Sequence, residues 1–110
     1  MPPIVSDERA EKALELMIKT DIRAAKAKAL IEGLESKRKT VLAVAYSHST
    51  EKGQENKKQD AHMSEEFMEV SADIQNAVAD YETLRNQRKT AELIIEMWRS
   101  IQANQRKGNI

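Results

Sequence analysis

The chain has no cysteine, which excludes disulfide cross-links and thiolate chemistry and removes the commonest ligand of structural zinc. It also lacks an excess of charge of either sign. Eighteen Lys and Arg balance eighteen Asp and Glu, so bulk basicity does not draw it to nucleic acid, and any such contact must come from a local patch. Long apolar runs are missing too: no window reaches the roughly 18 to 20 apolar residues of a membrane span. The opening Met1-Pro2-Pro3-Ile4-Val5-Ser6-Asp7 has no basic segment leading into an apolar stretch, as a secretion signal would. The expectation is a soluble, unsecreted protein with no membrane partner, in a reducing cytoplasm. No Ser-His-Asp order, Gly-rich phosphate loop, Walker pattern or Glu-x-x-His ligand set occurs, so the sequence points away from an enzyme and calls for no cofactor and no metal.

What is present is a hydrophobic repeat at alternating steps of three and four residues. One copy runs Ala10, Ala13, Met17, Thr20, Ala24, Ala27, Ile31, Leu34, Arg38, Val41, Ala45. The other runs Phe67, Val70, Ile74, Ala77, Tyr81, Leu84, Arg88, Ala91, Ile95, Trp98. Such spacing is the seam of a coiled-coil-like pair of helices. The predicted fold is all-α: an antiparallel helical hairpin of two long helices with a polar elbow or short helix between them, assembling into an oligomeric bundle. With a third of 110 residues charged, one domain of this size offers a single layer of helix contact rather than a thick core.

Local signals place the boundaries. Pro2 and Pro3 forbid an early helix, while Ser6 or Asp7 can accept hydrogen bonds from the first free amides. Helix one is expected over about 7–46, with Gly33 tolerated in its interior. Residues 47–63 form the polar elbow, where Ser49 or Thr50 would cap any short helix. Ser64 is the expected N-cap of a last helix over about 64–105, and Gly108 and Asn109 end it, leaving a short tail. This makes residues 1–110 a single helical domain.

Charge bears on how the helices pair. Residues 62–84 carry Glu65, Glu66, Glu69, Asp73, Asp80 and Glu82 without Lys or Arg; residues 85–107 carry Arg85, Arg88, Lys89, Arg99, Arg106 and Lys107 against Glu92 and Glu96. Antiparallel folding sets the acidic half beside Lys37, Arg38 and Lys39, and the basic half beside Asp7, Glu8, Glu11 and Glu15. Exposed pairs contribute about 0 to 1 kcal/mol each, so they select orientation more than they stabilise. The two seam arginines acquire partners in the same register, Arg38 near Asp73 and Arg88 near Asp21, as register-setting pairs.

Three groups are candidates for function. Apolar residues at one end of the hairpin exceed what a two-helix seam hides, and Leu14, Met17, Ile18, Ile94, Met97, Trp98 and Ile101 form the expected oligomer or partner interface. Arg99, Arg106 and Lys107, interleaved with Gln102, Asn104 and Gln105, are the candidate phosphate contacts; the helix macrodipole alone also favours cations there, and nucleic acid is a secondary candidate partner. His48 and His62 sit in or beside the elbow with no second His or Cys at helical spacing, which reads as solvated histidines rather than a zinc site. Glu65, Glu69 and Asp73 read as a solvated face rather than a catalytic pair.

The stretch Tyr81-Glu82-Thr83-Leu84-Arg85, then Arg88-Lys89-Thr90-Ala91-Glu92-Leu93-Ile94-Ile95-Glu96-Met97-Trp98-Arg99-Ser100-Ile101-Gln102-Ala103-Asn104, resembles small all-helical proteins encoded by bacteriophages and prophages. The resemblance covers about the last third of the chain and carries over no catalytic residue. It implies a phage accessory protein of the bacterial cytoplasm, within a replication and recombination gene set, with a phage or host protein as partner. Two alternatives stand beside it: an inhibitor of a host defence or nuclease protein acting by direct contact, and a purely structural coiled-coil module.

Overall fold

The computed structural model describes residues 4–108. Pro2, Pro3 and Asn109, read above as helix-limiting residues, lie outside them. Three helices follow in order: α1 (Asp7–His48), α2 (Gln54–His62) and α3 (Glu65–Gly108), with no strand among the described residues. The fold is all-α, and no described helix is long and apolar enough to cross a membrane.

Side-chain oxygens set two of the helix starts. Ser6 Oγ accepts the Arg9 amide at 3.2 Å, and Asp7 and Glu8 occupy the first turn of α1, where the free amides favour negative charge. Ser64 Oγ accepts the Phe67 amide at 3.3 Å, with Glu65 and Glu66 in the first turn of α3. The elbow differs from expectation. α1 runs two residues further than predicted and α3 three, and the short helix is not capped by Ser49 or Thr50. Ser49 Oγ instead accepts the Glu51 amide at 3.2 Å, which turns the chain before α2 can start. The cap position falls to Gly53, at φ 88 and ψ 149 with no side-chain cap, a backbone conformation that a Cβ would strain.

The chain divides into two compact units, the first built from residues up to Ala25 and from Glu82 onward, the second from Lys26–Tyr81. In the first, α1 and α3 run antiparallel, since Asp7 meets Trp98 while Thr20 meets Arg88. Their seam is Val5, Ala10, Ala13 and Thr20 against Leu84 and Ala91, all buried, with Met17, Ala24, Arg88, Ile95 and Trp98 half-buried. In the second unit, Val70, Ile74 and Ala77 are buried, whereas Ala27, Ile31, Leu34, Arg38, Val41 and Ala45 are half-buried. α2 adds Ala61, 1% exposed, and sets the Lys57 ammonium 5.9 Å from the Tyr46 ring. The His62 ring meets Phe67 edge-on at 5.0 Å, while its Nδ1–H donates to the Lys58 carbonyl at 2.7 Å.

Every position of both predicted seams is therefore buried or half-buried. The most deeply buried side chains are nevertheless small or medium-sized, and among the described residues no large side chain is fully enclosed. A helix pair has only one inward stripe per helix, which leaves the outer faces to solvent or to a partner.

Candidate binding surfaces

Arg88 holds the first unit together across its seam. Its guanidinium donates to the Met17 carbonyl at 2.9 Å and to Thr20 Oγ1 at 2.7 Å, and reaches Asp21 Oδ1 at 3.4 Å. The hydroxyl of Thr20, a residue 7% exposed, donates to the Leu16 carbonyl at 2.6 Å while accepting from Arg88, so it donates and accepts at once. This polar clasp sits between apolar layers, where a shifted register would leave a guanidinium without acceptors. The second expected pair does not form. Arg38 makes no ion pair with Asp73 among the described residues: Asp73 is exposed to water, as Asp21 is, but no counterpart of the Thr20 and Met17 acceptors that hold Arg88 orients the Arg38 guanidinium.

At the open end of the same unit, the Trp98 indole N–H donates to Asp7 Oδ1 at 2.7 Å, and the Gln102 amide reaches the same oxygen at 3.3 Å. The half of α3 that carries the surplus of Lys and Arg does lie beside Asp7, as expected, but the groups that meet the first-turn carboxylate are neutral donors. The missed signal was Trp98 itself, since a half-buried indole N–H ending an apolar seam needs an acceptor.

The seven expected interface residues do not share one surface. Ile94 and Met97 join Ile4, Val5, Arg9, Thr90 and Leu93 around a shallow groove in which Ile4, Leu93 and Met97 are exposed. Leu14 and Ile18 are not among its walls. Arg9 immediately precedes the seam residue Ala10 and Leu14 immediately follows Ala13, so the groove and the Leu14 row flank opposite sides of the seam. Leu14, Ile18 and Ile22 follow one another at four-residue steps and are 52, 69 and 69% exposed. Met17, Trp98 and Ile101 are half-buried, the first two within the seam. Ile22 and Ile4 were not singled out from sequence, because neither adjoins the tight apolar clusters there.

Arg99, Arg106 and Lys107 are exposed along the end of α3, and none enters an ion pair among the described residues. Arg99 and Arg106, seven residues apart, project from the same side two turns from each other. In the second unit a groove lies between the end of α1 and the start of α3, with Val41, Val44 and Met63 as apolar walls and His48, Asp60 and Glu66 at its edges. No group of three or more His, Cys, Asp or Glu that could hold a metal occurs among the described residues. No protein-family model, curated protein or solved structure matches the chain.

Proposed function

We propose that the protein is a non-enzymatic accessory module that works by binding, self-associating through the apolar surface of its first unit and serving phage DNA replication or recombination in the bacterial cytoplasm. The observation that carries the binding part is the exposure of five large apolar side chains, Leu14, Ile18, Ile22, Leu93 and Met97, on a helix pair whose seam is already filled. Exposed apolar rows of this kind, one on each side of the seam, mark interaction surfaces. The setting rests on the resemblance of residues 81–104 to phage proteins.

Arg99, Arg106 and Lys107, exposed and in no ion pair among the described residues, support direct contact with DNA phosphates. Fluorescence anisotropy of labelled single-stranded and duplex DNA tests it. Binding is expected to weaken with rising salt, persist near physiological ionic strength, and disappear when all three residues become Ala. Binding confined to low salt would remove DNA from the proposal and leave a phage or host protein as the partner. Retention of one host protein from a bacterial lysate at moderate salt, lost on Met97→Asp, would then favour inhibition of that protein.

A further inference from the structure

The outer face of α1 in the first unit carries a pattern that reads as its own complement when reversed. Leu14, Ile18 and Ile22 form the apolar row. Beside it, also at four-residue steps, run Glu11, Glu15, Lys19 and Arg23, all exposed and none in an ion pair among the described residues. On the other side of the row are Met17, half-buried in the seam, and Asp21, engaged by Arg88.

We propose that α1 docks antiparallel on α1 of a second copy of this chain, across a two-fold axis at Ile18. The inference rests on the self-associating reading above and names its contact. A two-fold axis perpendicular to both helices sets each flank against the same flank run backwards. The order acid, acid, base, base therefore meets base, base, acid, acid. With a rise of about 1.5 Å per residue, Glu15 comes level with the gap between Lys19 and Arg23 of the second copy, and Glu11 lies beside its Arg23. In the apolar row Leu14 faces Ile22, and Ile18 faces itself. A parallel pairing would set the charged row against Met17 and Asp21 and leave it without a complement. An unrelated partner would have no need of a pattern that is complementary to itself.

The chain has no native thiol, so a single Cys reports one contact. Ile18→Cys is expected to give a disulfide-linked dimer under mild oxidation, because a residue on the axis faces its own copy, and Met97→Cys in the groove on the other flank is not. Two charge variants supply the second arm. Glu11→Lys with Glu15→Lys makes the row wholly basic, and Lys19→Glu with Arg23→Glu makes it wholly acidic. Each alone is expected to weaken dimerisation by about tenfold or more, and an equimolar mixture to restore dimers in sedimentation velocity, with circular dichroism showing all proteins equally helical. If the unmodified chain sediments as a monomer at about 100 μM, both this contact and the self-associating reading fall. If it is a dimer but Ile18→Cys does not cross-link and mixing restores nothing, the contact named here is overturned while self-association through another surface stands.

Discussion

Arg88 and Asp21 are paired in the structure, yet the two ends of that pair differ in weight. The Arg88 side chain is 19% exposed and Asp21 78%, so the carboxylate is mostly solvated while the guanidinium satisfies a seam hydroxyl and a main-chain carbonyl. Arg88→Ala is expected to destabilise the chain by about 1.5 to 3 kcal/mol, the range for a hydrogen bond to a charged group. Asp21→Asn should cost about 0 to 1 kcal/mol. Urea titrations of the two variants check the difference, and equal losses would mean the ion pair matters more than the Thr20 and Met17 contacts. At Gly33, an added methyl would meet nothing within 4 Å, and the residue sits inside α1. Gly33→Ala is therefore expected to stabilise by about 0.5 to 1 kcal/mol through lost unfolded-state entropy, measured as a raised urea midpoint.

Among the elements, α3 depends on Ser64 for its start. That hydroxyl accepts the Phe67 amide and donates to the Ala61 carbonyl at 2.7 Å, tying the end of α2 to the first turn of α3. Ser64→Ala should cost about 0.5 to 2 kcal/mol, with amide exchange rising first around residues 61–68. Much at this scale was legible in the sequence, because periodicity and capping are local: the seams and the Ser6 and Ser64 caps depend on residues within a turn of one another. The start of α2 was not. Ser49 and Thr50 were the expected caps, and the cap fell to Gly53 because Ser49 engages its hydroxyl in a turn with Glu51. Candidate sites were legible only as residue types at helical spacing. Spacing placed Arg88 at the height of Asp21 and Arg38 at that of Asp73, but axial height does not decide whether an exposed side chain prefers a partner to water. Nor did it show that Met97 shares a groove with Ile4, Val5 and Arg9 rather than with Leu14, which depends on how α1 and α3 pack.

For the molecule as a whole, the absence of any fully enclosed large side chain among the described residues means that little apolar area per residue is removed from water within one chain. Stability supplied by self-association depends on concentration. The thermal midpoint is expected to rise by about 3 °C for each tenfold increase in protein concentration if the chain dimerises, and to stay constant if it does not. Calorimetry across two decades of concentration distinguishes the cases. The only tryptophan of the chain lies at one end of the first unit, with its indole held by the carboxylate that opens α1. Detachment of the α1 start would hand that indole to water and move its emission to the red, so the native protein carries an unlabelled optical gauge of whether that end is latched.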